Sequence, residues 1–469
     1  MCGSGMMGRL RGVWMAVLLL AAGGSASAQY RIVRSFSGAP ANDGSQPYGA
    51  LTMAGPVLYG MTYSGGTFNT GVVFRVGTNG LAYTNLHAFA GGTNDGSYPY
   101  TGAVVADGAL LYGAARYGGV SNQGVVFALG TNGSGFNILH QFTGGTNDGR
   151  APSWPLTPGG SAWYSVAGGG GAADRGVVFR LNADGSGYTN LHAFGGSAQD
   201  GNGPNGGLRL IGSALYGLTA LGGVSNFGVV FRLNTDGSGY TNLHAFTGGA
   251  DGVAPKGALA FDGAFLYGTA SGGGVSNAGI AFRLQPDGTG YTNLHAFAGY
   301  PTDGSSPNGT LLLDGVSLYG TTLGGGSANC GIVFKLAASG EAYANLHTFT
   351  GPPGDGDHPD DALVQLDSVL YGMTVGGGAA YYGTVFALSF TPDPQATITR
   401  IECLPSGVAL GWQPNRTNLR YTVEANTGLV DTAWFAVPPT SQWWIAATAW
   451  TNSPATPPGR FFRIRLKDP

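Results

Sequence analysis

The chain has 469 residues, a formal net charge of −3 and only 10% charged residues, so its charge balance argues against a nucleic-acid partner. Hydrophobic residues reach 43% and glycines number 87, which excludes a disordered low-complexity chain and points to short buried strands joined by tight turns. The length exceeds the roughly 150 residues of a typical domain, so several folding units or one large repeat ring are expected.

Residues 1–28 have the layout of a secretory signal peptide. Arg9 and Arg11 precede an apolar run from Val13 to Ala22, and Ala26-Ser27-Ala28 forms a small-residue cleavage signature before Gln29. The apolar run is shorter than the roughly 20 residues that span a bilayer. The expected product is secreted or held at the cell surface, extracellular or periplasmic, with no transmembrane segment in the mature chain.

Residues 29–390 carry a repeat. Leu-Tyr-Gly recurs around Tyr59, Tyr112, Tyr216, Tyr267, Tyr319 and Tyr371, with a degenerate copy, Trp163-Tyr164-Ser165. Val-Val-Phe or a close variant recurs in step at Phe74, Phe127, Phe179, Phe231, Phe282, Phe334 and Phe386. Asp-Gly recurs at Asp43, Asp95, Asp148, Asp200, Asp251, Asp303 and Asp355. A unit such as 200–246 reads as four strands, "GGLRL", "ALYGLTA", "VVFRL" and "YTNLHAF", separated by Gly, Asn and Asp turns. Four strands per repeat of about 50 residues is blade-like, so the fold class expected is all-β, a seven-bladed β-propeller of four-stranded blades.

The ends of this region favour closure. The last unit stops after its third strand, "GTVFALSF" at 383–390, while the mature chain begins with a lone fourth-strand equivalent, "YRIVRSF" at 30–36. Residues 30–36 are expected to pair with 383–390, which removes exposed sheet edges.

Units of the form "DG…P…G.L…LYGTT..GG..N.G.VFRL..DGSGYTNLHAF" resemble the bacterial GloVer (Gloeo-Verruco) repeat over residues 30–390. The resemblance implies a secreted or surface-attached repeat protein and no defined activity. The turn "NADGSGYT" at 182–189 is similar to the Asp-box of sialidase propellers, a structural turn, and implies no catalytic residue.

Residues 391–394, "TPDP", read as a linker. Residues 395–469 hold alternating strand patterns, "GVALGW", "LRYTVEAN" and "RFFRIRL", expected to form a small C-terminal β-sandwich. The segment resembles a short fibronectin type III-like module with Trp412 and Tyr421 in its core. Of the adjacent Trp443 and Trp444, one is expected in the core and the other exposed. Cys330 and Cys403 lie in different units and are expected as free thiols, with a single disulfide as the alternative.

Six histidines occupy one repeat position: His87, His140, His192, His244, His295 and His347. Equivalent residues in neighbouring blades stand about 10 Å apart, too far for a shared zinc, so a structural role is expected. The Asp-Gly aspartates are expected as Asx turns on the face that carries the second-to-third loops.

Departures from the repeat mark candidate binding residues on that face: Arg116, Tyr117, Trp154, Asp174, Arg175, Asp357, His358, Asp360 and Asp361. Asp355, Asp357, Asp360 and Asp361 are the densest set of hard oxygen donors, a weak cation candidate for calcium; no other cofactor is expected. No nucleophile elbow, HExxH or phosphate loop is present. The expected function is a non-catalytic binding or adhesion scaffold. Its expected partner is an extracellular polysaccharide or surface protein, and it is expected as a monomer. The alternatives are a glycan-cleaving hydrolase or lyase and a structural surface-layer component.

Overall fold

The computed structural model describes residues 29–38, 42–197 and 199–390, and beyond them the backbone of six strands between 397 and 467. The signal-peptide reading, the linker, and Trp443 and Trp444 lie outside the described residues. So do the side chains of Cys403, Trp412 and Tyr421. No helix among the described residues is long and apolar enough to cross a membrane.

Residues 28–390 form one unit, a ring of seven antiparallel sheets, the seven-bladed propeller read from the repeat. In blade 4 the second strand, Ala214–Gly222, pairs with the third, Val229–Asn234, which pairs with the outer one, Thr241–Ala245. The inner strand differs from the expected single run. It comes in two pieces, Gly201–Pro204 and Arg209–Ile211, both paired with the long second strand. The turn between them carries the Pro-x-Gly part of the repeat towards the axis.

Closure is as expected. Gln29–Ser35 is the outer strand of blade 7, with Gln29 opposite Ser389 and Ser35 opposite Thr384. Two further contacts repeat around the whole ring. The residue before each inner proline donates its N–H to a carbonyl of the preceding blade, as Tyr98 does to Thr70 at 2.8 Å and Gln46, across the seam, to Tyr382 at 2.9 Å. The proline then packs on a glycine of the preceding blade, Pro152 on Gly124 and Pro47 on Gly383. A Cβ on either glycine would meet the proline ring at 2.4 or 2.6 Å, and both glycines sit at φ near +100°.

The core lies between blades. Trp154 and Tyr164 of blade 3 pack with Leu215, Val229 and Phe231 of blade 4 in one buried cluster. The Gly of Leu-Tyr-Gly makes room for the Phe of the third strand; a Cβ on Gly217 would stand 2.5 Å from the Phe231 ring. Blade 3 departs from this rule at Ser165, whose hydroxyl donates to the carbonyls of Trp154 and Pro155 instead.

The histidines and the first aspartate series turn out to be one device. His140 Nε2 lies 3.2 Å from Asp148 Oδ1, and its ring stacks on Tyr188 of the next blade at 3.9 Å. The same clamp joins His192 to Asp200 and Tyr240, and His295 to Asp303 and Tyr343. Phe136 replaces the tyrosine against His87, and Tyr30 supplies the ring against His347. At the seam Arg34 stands in for histidine, 2.6 Å from Asp43 and 4.1 Å above the Tyr83 ring. Asp95 and Asp303 also accept the N–H of the following glycine and that of the residue five before, so they face protein without the bond two residues on that the expected Asx turns would make. In the second series Asp184 and Asp236 accept from Ser186 and Ser238 within their hairpins, as expected of structural turns.

Burial alone would raise the Asp200 and Asp303 carboxyls. Hydrogen bonds from His192 and Tyr240, and from His295 and Tyr343, outweigh it and hold both at about 2. A carboxylate with a depressed folded pKa stabilises the fold above its unfolded value, near 4, and loses that contribution as pH falls through the folded value. Melting temperature is therefore expected to hold from neutrality to about pH 5 and to fall steeply between about pH 4 and 2. The double variant D200N/D303N should melt lower at pH 7 with a shallower acid decline; an unaltered acid profile would remove the clamps from this account.

The C-terminal unit consists of two three-stranded antiparallel sheets. One joins Thr397–Leu404, Gly407–Gln413 and Ala449–Thr451; the other joins Phe435–Ala436, Arg420–Asn426 and Phe461–Lys467.

Candidate ligand-binding face

The loops from outer to inner strand and from second to third strand share one end of the ring, and the inner turns reach from that end to the axis. After the inner proline the repeat stops repeating: the seven blades present Tyr48, Tyr100, Ser153, Asn205, Lys256, Asn308 and Asp360. Lys256 Nζ of blade 5 lies 3.1 Å from Asp360 Oδ1 of blade 7 although blade 6 stands between them, a contact that convergence at the axis allows. Asn308 Nδ2 donates to the same oxygen at 2.8 Å. Next to this group, burial pushes the Asp361 carboxyl up to about 7, with Asp360 adding to the rise and Lys256 opposing it.

Across the seam, blades 1 and 2 supply tyrosines. Tyr48 and Tyr100 come from the inner turns, Tyr63 and Tyr117 from the second-to-third loops, and Tyr98 from the residue before the inner proline. Tyr48 and Tyr100 lie 5.0 Å apart between ring centroids, Tyr63 and Tyr98 5.1 Å, and Tyr98 and Tyr117 6.3 Å. The Arg116 guanidinium stands 5.2 Å from the Tyr100 centroid and 5.7 Å from that of Tyr117. The Tyr48 phenol is pushed up by burial, by its neighbour Tyr100 and by Asp360, which ties the aromatic group to the axial one.

One feature separates these tyrosines from most of those in the clamps. Most clamp tyrosines use their hydroxyls within the protein, as Tyr188 and Tyr240 do on Asn190 and Asn242, although that of Tyr30 is buried without a hydrogen-bond partner among the described residues. Among the described residues the hydroxyls of Tyr48, Tyr63, Tyr98, Tyr100 and Tyr117 have no hydrogen-bond partner. Tyr98 sits at φ 51°, a left-handed position that the other blades fill with Gln46, Ala151, Gly203, Ala254, Ser306 and His358. Any side chain there costs of order 1 kcal/mol relative to glycine, a cost that every blade but the one with Gly203 bears.

The structure brings Arg116 and Tyr117 together as candidates and separates the others from them. Trp154 is buried in the core between blades 3 and 4 and faces no ligand: its size fills space rather than surface. Asp174 occupies the place of the loop asparagine, accepting the Gly170 N–H as Asn122 accepts that of Gly118, and pairs with Arg150 at 2.7 Å. Arg175 is exposed on the same loop and joins none of the tyrosine contacts. His358 Nδ1 lies against the Asp357 carboxylate.

The cation candidates do not converge. Asp355 is bound to His347, Asp360 to Lys256 and Asn308, and Asp361 is enclosed beside them. Among the described residues no three His, Cys, Asp or Glu side chains are placed to hold a metal. Cys330 is a free thiol, its pKa pushed up to about 11 by burial and by a hydrogen bond to Asp357.

Sequence reasoning missed Tyr48, Tyr63, Tyr98, Tyr100 and Lys256. The available signal was the position after the constant proline, the one inner place where near-identical units differ.

The profile of the Gloeobacter/Verrucomicrobia repeat matches residues 22–166, 111–299 and 257–402. No curated protein matches the chain. Among solved structures, an oligogalacturonate lyase from Vibrio parahaemolyticus is 10% identical over 78% of this chain and 97% of its own, with a TM-score of 0.49. The GH74 xyloglucanase from Xanthomonas campestris is 13% identical over 82% of this chain and 59% of its own, also at 0.49.

Proposed function

Because this chain belongs to the Gloeobacter/Verrucomicrobia repeat family, we propose that it is a secreted or cell-surface, non-catalytic scaffold that binds carbohydrate on the tyrosine face of blades 1 and 2. The observation that carries this reading is the group of five half-buried or exposed tyrosines whose hydroxyls have no partner among the described residues. Aromatic faces stack on the apolar faces of sugar rings, and free hydroxyls supply the few polar contacts that orient a ligand. Departure from the repeat at these positions supports the reading, since packing between blades explains the repeated residues and not these.

A panel of neutral and acidic polysaccharides in affinity electrophoresis, followed by calorimetry on any hit, tests the proposal. Y98A and Y100A are each expected to weaken binding by about tenfold or more, the loss of an aromatic anchor worth about 1.4 kcal/mol. Binding that survives both substitutions, or reproducible release of cleaved sugar, would overturn it.

A further inference from the structure

Arg116 is the one cation in the tyrosine group, and its surroundings leave its charge unanswered. Its side chain is half-buried, and its Nε is buried without a hydrogen-bond partner among the described residues. Arg34 and Arg283 also leave Nε unpaired, but each places a terminal nitrogen on a protein acceptor, Asp43 and the Ala338 carbonyl. Arg150 pairs with Asp174 through both Nε and Nη2. Arg116 makes neither kind of contact and lies against the rings of Tyr100 and Tyr117.

The fold does not call for a cation here. The equivalent residues of the other blades are Tyr63, Gly168, Ala220, Ser271, Leu323 and Val375, all uncharged. A buried donor without a partner is costly, and an arginine stacked on aromatic rings keeps its two terminal nitrogens free for hydrogen bonds to an oxyanion.

We propose that Arg116 reads an anionic group on a sugar, carboxylate or sulfate, so that the ligand of this face is an acidic polysaccharide. This rests on the carbohydrate reading above and narrows it. The tyrosine rings hold the sugar faces, and the terminal guanidinium nitrogens of Arg116 select the charge.

The probes are polygalacturonate for carboxylate, dextran sulfate for sulfate and xyloglucan as a neutral chain, each titrated at low salt and at about 0.5 M NaCl, where exposed charge pairs are strongly screened. Acidic chains are expected to bind, with binding weakened by salt. R116A should lose at least tenfold on them with an unaltered melting temperature, and R116K should recover part of the loss. R175A, which removes an exposed cation from another loop, should have little effect. Binding to polygalacturonate alone assigns a carboxylate, and binding to dextran sulfate alone a sulfate. Equal losses in R116A and R175A would show diffuse attraction and overturn the proposal. Tyr98-dependent binding of xyloglucan that ignores Arg116 would also overturn it while leaving the carbohydrate reading intact. Failure of all three chains to bind would remove both.

Discussion

Removal of residues 29–36 is expected to abolish cooperative melting or to lower the melting temperature by more than about 10 °C, with aggregation visible by light scattering. The strand fills the whole outer edge of blade 7. It brings the fully buried Phe36 and nearly buried Val33 into the core shared with Phe74 and Val385. It also brings the Tyr30 ring against His347 and the Arg34 partner of Asp43. Loss of a buried Phe alone costs about 3–5 kcal/mol, of the order of a domain's net stability. The exposed edge at Thr384–Ser389 then offers free backbone groups to another chain. A permuted chain that carries residues 29–36 directly after residue 390 should regain the parent's melting temperature. A truncated protein that melts like the parent would falsify the view that this strand holds the ring closed.

Lys256→Met is expected to destabilise the propeller by about 3 kcal/mol. Asp360 is 5% exposed and Lys256 16% exposed as side chains, so removing the ammonium leaves a carboxylate with little water and only the Asn308 amide as partner. Breaking such a pair from one side costs about 3–5 kcal/mol, whereas replacing both charges by apolar groups is often neutral. The remaining amide contact places the expected loss at the low end. The double variant K256M/D360L should therefore recover most of the stability in urea unfolding. If the single variant unfolds at the parent's midpoint, the axial charges lie in better-solvated surroundings than their contacts indicate.

The propeller was legible because its signals are redundant. Phe231 and Tyr216 each return in every unit, and the displaced "YRIVRSF" announced the closure that Gln29–Ser35 makes. The clamps were half legible. His192 and Asp200 were seen as separate series, although histidine and aspartate stand eight residues apart in five of the six pairs, and seven apart at His244 and Asp251. Their partner Tyr240 belongs to the next unit, so a reading confined to one repeat could not join the three. Among the candidate residues, the departure at Arg116-Tyr117 does lie on the loop face. Trp154 shows why departure alone is an unsafe guide: an inner turn that lost its glycine filled the vacant core instead. Lys256 and Asp360 stayed invisible because their pairing depends on convergence at an axis, which neither unit's local pattern encodes.

The register at the seam has a consequence for display. Ser35 and Thr384 stand at the loop end of blade 7, next to the tyrosine face, while Gln29 and Ser389 stand side by side at the hairpin end. Gln29 and Ser389 thus stand at the opposite end of blade 7 from the tyrosines. A fluorescent label fixed to Gln29 would therefore stand clear of the tyrosine face.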